Sequence, residues 1–378
     1  MNETKMERIW NKHKTNTPHN TNIFIGLSGG VDSSVAALLL KKQGYKVTGV
    51  YMKNWSDPAD LKTGACTWIQ DRRDAIKVAA QLGIAFHTFD FEKEYRAQVI
   101  ENLFSEYKNG RTPNPDILCN KYIKFDLFWQ KAQEMEADYI ATGHYASIKQ
   151  KKDGSFGLFL PKDKHKDQTY FLSPFTQEQL SHVLFPLNNL TKQEVREIAR
   201  KNRLATAEKK DSMGICFVGE VPIMEFLSKK LPKKNGDVLD VKGKKVGEHH
   251  GAYFYTIGQR HGFTIFNKKI DKKACYIIEK NVLNNTLTIA EGKDAPLLRQ
   301  KSMVVGDIHW ISGQNPKSNI QWKARIRHGQ QLQDVEVSFD EKDDRLHLTF
   351  SHAQQGVAPG QSVVFFHNDE VLGGAIIL

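Results

Sequence analysis

Residues 23–142 predict an α/β fold built on a parallel sheet, and the chain after about residue 220 predicts a β-rich continuation. Two observations carry this. Short apolar runs alternate with amphipathic helical stretches in the first half, the βαβα order of a parallel sheet covered on both faces. In the second half the apolar runs shorten and turn residues recur between them, as in a small sandwich or barrel.

The elements follow in order. Ile23–Leu27 is a strand that ends in a Ser/Gly loop. Ser33–Gln43 has helical periodicity, with Gly44 where a helix-terminating glycine belongs. Lys46–Met52 reads as a strand, Asp71–Leu82 as a helix, Ile84–Phe89 as a strand and Glu92–Tyr107 as a helix. Asp138–Thr142 is a further buried strand, followed by Gly143 and His144. A helix is expected over Val221–Pro232. Beyond it, turns are expected at Asn235-Gly236-Asp237 and Lys242-Gly243-Lys244, and a hairpin turn at Asn284-Asn285.

With 378 residues the chain is long enough for two or three cores. Hydrophobic residues make up 40% and charged residues 26%, the balance of a soluble globular protein. No run approaches the roughly 20 apolar residues that span a bilayer. Met1–Thr21 is polar, lacks a signal-peptide core and reads as a flexible extension, so a cytoplasmic location is expected. Lys and Arg number 54 against 43 Asp and Glu, a formal charge of +11 that suits a polyanionic partner. Charge alone leaves plain solubility open. So do the lysines at 229, 230, 233, 234, 242, 244 and 245, which suit a solvated face or a phosphate-tracking one. The four cysteines, Cys66, Cys119, Cys216 and Cys275, form no Cys-x-x-Cys pair, which argues against a zinc ribbon or a disulfide-stapled domain.

The sharpest motif is Ser28-Gly29-Gly30-Val31-Asp32-Ser33-Ser34, which leaves a strand and opens a helix. Its glycines admit close backbone approach, its hydroxyls add donors, and the helix start supplies free N–H groups. Together they favour a pyrophosphate group. The loop is not a Walker A sequence, and no Gly-x-Gly-x-x-Gly occurs.

Thr112–Asn120 is dense in helix-start signals. Asn114 suits the N-cap, Pro115 the first helical position, and Asp116 the positive end of the helix dipole. Cys119 follows Asp116 by about one turn, which sets a carboxylate near a thiol. These residues alone leave both a reactive thiol and a buried core thiol open for Cys119. Cys216, between Gly214 and Gly219, is equally open. His144 can be a satisfied structural histidine, and Lys166–Gln168 an exposed polar loop.

Taken together, Gly26–Ser33, Met52-Lys53-Asn54-Trp55, Arg111–Asn120, Ala141–Tyr145, Lys166–Phe171, Met213–Glu220, Thr256–Arg260 and Pro359-Gly360-Gln361 resemble the bacterial tRNA-specific 2-thiouridylase family of PP-loop ATP pyrophosphatases. The resemblance runs from about residue 23 to the C-terminus. It implies a PP-loop (adenine nucleotide alpha hydrolase-like) domain over 22–222, a small β-rich central domain over 223–298 and a C-terminal β-barrel over 299–378, after an extension at 1–21. It implies that Gly26, Leu27, Ser28, Gly29, Gly30, Val31, Asp32, Ser33, Met52 and Gly143 contact ATP. Asn114, Pro115 and Asp116 would meet the target base, and His144, Lys166, Asp167, Gln168, Arg327, His328 and Gln361 would meet tRNA. Cys216 would carry a persulfide, Cys119 would be its partner nucleophile and Asp116 the acid/base. His328 departs from the family, which usually shows Arg-Tyr where this chain has Arg327-His328.

The expected function is ATP-dependent thiolation of the wobble uridine of tRNA. ATP would be a substrate with Mg²⁺ beside it and no tightly bound cofactor. The expected partners are the tRNA anticodon stem-loop and a persulfide donor such as a cysteine desulfurase or a sulfur-relay protein, with no membrane involved. The alternative is another PP-loop ATP pyrophosphatase that acts on a small molecule.

Overall fold

The computed structural model describes residues 20–56, 68–210, 222–266, 274–292, 298–316, 320–340 and 342–378. Strands β1 (Asn22–Gly26), β2 (Lys46–Lys53), β3 (Ala85–Asp90), β4 (Tyr139–Ala141) and β7 (Val183–Leu184) form a parallel sheet in the order β3-β2-β1-β4-β7. The chain builds outward from β1 to β3, then returns to add β4 on the other side. The sheet therefore has a switch point between β1 and β4, where the loops at the carboxyl ends of the strands diverge and leave a crevice.

Both faces of the sheet are buried. Ile23 and Ile25 point into a core shared with helices α1 (Val31–Lys42), α2 (Trp68–Leu82) and α6 (Lys192–Lys201). Phe24 points into the opposite core, which holds the long helices α3 (residues 92–108) and α4 (residues 115–133). The strand alternation thus divides β1 between two hydrophobic layers. Gly44 takes φ +86 just past α1, as the helix-end signal requires. Helix α4 is π-helical from Cys119 to Leu127, an uncommon geometry that recurs at functional sites. Helix α5 (Gln177–His182) precedes β7.

The helix expected at 221–232 is shorter among the described residues. Helix α7 covers Ile223–Leu227, and tighter turns follow, with Lys229 N–H on Phe226 O and Lys230 N–H on Leu227 O. Pro232 disfavours helical geometry at the residue before it, which explains the early unwinding. Strands β8 (Gly236–Leu239), β9 (Lys245–His249), β10 (Thr264–Ile265), β11 (Cys275–Asn281) and β12 (Thr286–Glu291) make the central sheet. The β11–β12 hairpin turns at Asn284-Asn285 as expected, with Asn285 at φ +54.

Strands β13 (Arg299–Trp310), β14 (Lys323–Arg325), β15 (Gln333–Asp340), β16 (Arg345–Gln355), β17 (Ser362–His367) and β18 (Glu370–Ile377) close into an antiparallel barrel through the β13–β18 pairing. Trp310, Trp322 and Phe365 pack at its centre. The hairpin of β5 (Ser147–Gln150) and β6 (Phe156–Phe159) lies in sequence between β4 and β7, yet β6 pairs with β18. The first domain and the barrel therefore share a sheet.

A buried polar seam backs this junction. Asp167 and Arg325 pair at 2.7 Å with 4% and 5% of their side chains exposed. Arg325 also donates to Thr169 Oγ1, and the Tyr170 hydroxyl donates to Ser362 O at 2.9 Å. Asp167→Asn should cost about 3–5 kcal/mol in chemical denaturation, because Arg325 keeps its charge without a counter-ion. Replacing both, as Asp167→Leu with Arg325→Met, should recover much of that loss.

Candidate functional site

The loop Leu27–Gly30 leaves β1 at the switch point. Gly29 adopts φ +75, and a Cβ there would lie 2.2 Å from Asp71 O, so the loop requires glycine for both conformation and space. Gly30 caps α1 in extended geometry. The hydroxyls expected to serve as donors are largely engaged within the turn. Ser33 Oγ and Ser34 Oγ both donate to Gly30 O, Ser28 N–H donates to Ser33 Oγ, and Thr206 Oγ1 donates to Ser34 Oγ. What the loop offers a ligand is its backbone and the start of α1.

The loop after β4 comes to the same place. A Cβ on Gly143 would sit 2.7 Å from Ser33 N, so only glycine lets this loop lie against the start of α1. Gly26 faces Met52, whose methyl carbon would be 2.9 Å from a Cβ at that position. The residues expected around ATP, from Gly26 through Leu27, Ser28, Gly29, Gly30, Val31, Asp32 and Ser33 to Met52 and Gly143, thus cluster at one switch point.

Asp32 carries the local charge. Lys192 Nζ lies 2.7 and 2.8 Å from its two oxygens, and the Tyr145 hydroxyl donates to it at 2.9 Å. Lys192 was not singled out from sequence, since it follows Asp32 by 160 residues and only the fold of α6 brings it back. Its neighbourhood did carry a local signal: Thr191 and Glu194 form a capping box that fixes the start of α6. Lys209, also missed, bridges Asp71 and Asp74 at 2.7 and 2.8 Å behind Gly29.

Asn114 caps α4 as the sequence predicts, its side chain accepting from the N–H groups of Asp116 and Ile117, with Pro115 at the first helical position. Pro115 and Asp116 are half-buried, whereas Cys119 is fully enclosed in the apolar layer. Thr112, just upstream, donates its N–H to Pro359 O of the barrel, and its hydroxyl meets that of Thr256 of the central domain. Cys216 and Cys66 lie outside the described residues, so the structure says nothing of the Cys119–Cys216 relationship.

The residues expected to meet tRNA fall into two groups. Lys166, Arg327 and His328 are exposed. His328 lies tilted against Phe171 with ring centroids 4.6 Å apart, its Nε2 2.8 Å from Asp167 O, while Arg327 donates to Gly356 O. Asp167, in contrast, is committed to Arg325, and Gln168 Oε1 accepts from Tyr145 N–H. Gln361 is half-buried, and its Oε1 has no partner among the described residues. His144 packs against Phe125 and Phe185, and Thr142 Oγ1 lies 2.7 Å from its Nδ1.

Residues 21–220 match the family model described as the tRNA methyl transferase HUP domain, residues 224–291 that of the tRNA methyl transferase PRC-barrel domain, and residues 300–377 that of the aminomethyltransferase beta-barrel domain. A tRNA-specific 2-thiouridylase of Lactobacillus gasseri is 46% identical over 357 residues, covering 94% of each chain. The chain belongs to the tRNA-specific 2-thiouridylase family. Members from Francisella tularensis subsp. holarctica and Streptococcus mutans are 46% and 44% identical over 360 and 358 residues. They cover 95% and 94% of this chain, and the match spans 99% and 95% of their own. Within this family the three matched regions correspond to the parallel-sheet domain, the central sheet and the closed barrel. No helix among the described residues is long and apolar enough to cross a membrane.

Two predictions follow from the geometry. Gly143→Ala must push the loop away from Ser33 and should cost about 1–3 kcal/mol of stability, with weaker binding of ATP in a titration. Burial, and then the charge of Lys124, hold the His144 imidazole well below its usual 6.5. The unfolded chain therefore binds a proton that the folded one refuses. Stability from this group is complete above about pH 6.5 and is lost below it, by up to about 1.4 kcal/mol per pH unit. Denaturant titrations between pH 7.5 and 5 should show a shallower loss in His144→Asn.

Proposed function

We propose that this chain is an ATP-dependent tRNA-uridine 2-sulfurtransferase acting on the wobble uridine. The observation that carries the reading is the convergence at one switch point of a glycine loop, a helix start and the Asp32–Lys192 pair, with the Asn114-capped helix bearing Asp116 and Cys119 in the adjoining layer. The relatives' shared name supplies the substrate class, and the loop supports the use of ATP.

The 2-oxygen of a uridine is a poor leaving group. Attack of that oxygen on the α-phosphorus of ATP expels pyrophosphate and turns the oxygen into part of AMP, a good leaving group. The Gly29 N–H and the first N–H groups of α1 would meet the charge that develops on the phosphates. No group of three or more metal-ligating side chains occurs among the described residues. A Mg²⁺ arriving with ATP would be held by its phosphates and by Asp32, whose carboxylate lies at the start of α1. Lys192 would then share Asp32 with the metal.

Sulfur transfer follows from electron balance. The terminal sulfur of a persulfide on Cys216 attacks C2 of the adenylated base, and AMP leaves. The Cys119 thiolate attacks the Cys216 sulfur, which breaks the S–S bond, frees 2-thiouridine and leaves a Cys119–Cys216 disulfide. Two thiols are oxidised as the transferred sulfur is reduced, and a thiol reductant resets the enzyme. Asp116 at the helix start exchanges the protons. Cys119 is fully buried, so this step requires the layer around it to open when tRNA binds. Lys166, Arg327 and His328 offer the exposed contacts for the RNA, with Asn114 and Pro115 beside the splayed base. His144, Gln168 and Gln361 border the same surface, and Asp167 positions it from below. The persulfide arrives from a separate donor protein.

The test is mass analysis of nucleosides from unmodified tRNA incubated with the protein, ATP, Mg²⁺ and a sulfide or persulfide source. Replacement of one oxygen by sulfur is the expected product, with AMP and pyrophosphate released. Cys216→Ser and Cys119→Ser should each abolish it, with adenylation retained in Cys119→Ser. Addition of a methyl group instead, as the family-model descriptions would suggest, overturns the reading. ATP cleavage coupled to a small-molecule acceptor and not to tRNA overturns it as well.

A further inference from the structure

Asn54 follows the last residue of β2, at the ligand-binding end of the sheet and one strand from the glycine loop. Only 1% of its surface is exposed, and neither Oδ1 nor Nδ2 has a hydrogen-bond partner among the described residues. A buried amide without partners opposes folding, and an apolar side chain of the same shape would be neutral or stabilising there. Folding thus gives no reason for an asparagine at this position.

Its neighbours say where the amide sits. Met52, two residues earlier, approaches Gly26 at the end of β1. Trp55, the next residue, packs edge-on against Phe226 at 5.6 Å, with the Arg96 guanidinium 4.6 Å from its ring centroid. Met52 and Trp55 both belong to the apolar layer that encloses Ile117 and Cys119. Asn54 is therefore flanked by residues that link the nucleotide loop to the layer of the Cys119 helix.

A carboxamide presents one donor and one acceptor side by side and carries no charge. It suits neither a phosphate nor a metal ion as a principal ligand. It does match a nucleobase edge with an adjacent acceptor and donor, such as O4 and N3–H of uracil or N1 and N6–H of adenine. We propose that Asn54 is a base-reading residue that takes such an edge through both amide atoms. The inference rests on the function proposed above, which brings both an adenine and a uracil to this end of the sheet.

The experiment compares Asn54→Leu and Asn54→Ala with the wild-type protein. Three quantities are measured: the Tm, the Kd for a non-hydrolysable ATP analogue, and the single-turnover thiolation rate at saturating ATP. The expected result is a Tm equal to or above wild type for Asn54→Leu, with a loss of about 10-fold or more in one functional arm. Loss confined to the analogue Kd identifies the adenine. Loss confined to the thiolation rate identifies the uracil. Unchanged Kd and rate in both variants overturn the proposal, as does a lowered Tm that tracks the loss of activity in both, which would make the amide a structural group. A wild-type protein that binds the analogue but does not thiolate tRNA sinks the proposed function, and the analogue arm still reports on Asn54.

Discussion

Thr112 donates its backbone N–H to Pro359 O at 2.8 Å while its hydroxyl meets that of Thr256 at 3.1 Å, so the barrel and the central domain hold one residue together. Thr112 lies two residues before the Asn114 cap. The orientation of α4, and with it Asp116 and Cys119, therefore depends on how all three domains sit. The same junction explains the tight approach of the barrel. A Cβ on Gly360 would lie 2.8 Å from Thr112 N, and Gly258 of the central domain lies 3.5 Å from Gly356 of the barrel if given a Cβ. The β-rich regions are thus part of the site's scaffold as well as candidate RNA-binding surface.

The nucleotide end obeys a different constraint. A parallel sheet that builds outward from β1 and then returns to β4 leaves its crevice between those two strands, and the loops after them must share it. They do so by removing side-chain bulk at Gly29 and Gly143. The serine hydroxyls close the turn on itself, which leaves the backbone to face the ligand. Asp32 is held from the far side by Lys192 and Tyr145, so the loop's charge is balanced before any phosphate enters.

Polar residues near the seam divide by burial. Lys166 is exposed, whereas Asp167 next to it is enclosed with Arg325. A run that reads as one polar loop is in fact an exposed contact followed by an internal tie. Without a partner of known position, sequence cannot separate the two, because both patterns use the same residue types. His328 illustrates the same point. Its contact with Phe171 and its bond to the Asp167 carbonyl place the ring on the seam, a role available to an aromatic residue of either kind.

Much of the fold was legible from local chemistry. The apolar run of β1, the Gly44 helix end, the Asn114-Pro115 helix start and the Asn284-Asn285 turn each rest on residues within a few positions of one another, and each forms as read. The glycine loop was legible for the same reason. Tertiary structure decided what depends on distant pairs. It brought Lys192 to Asp32 and Thr112 to Pro359 and Thr256, and it joined β6 to the barrel. It enclosed Cys119 and left the Asn54 amide without a partner among the described residues. Propensity, capping and turn preference are properties of short segments and can be read along the chain. Burial and long-range pairing are properties of which surfaces meet, and those exist only once the three domains have packed.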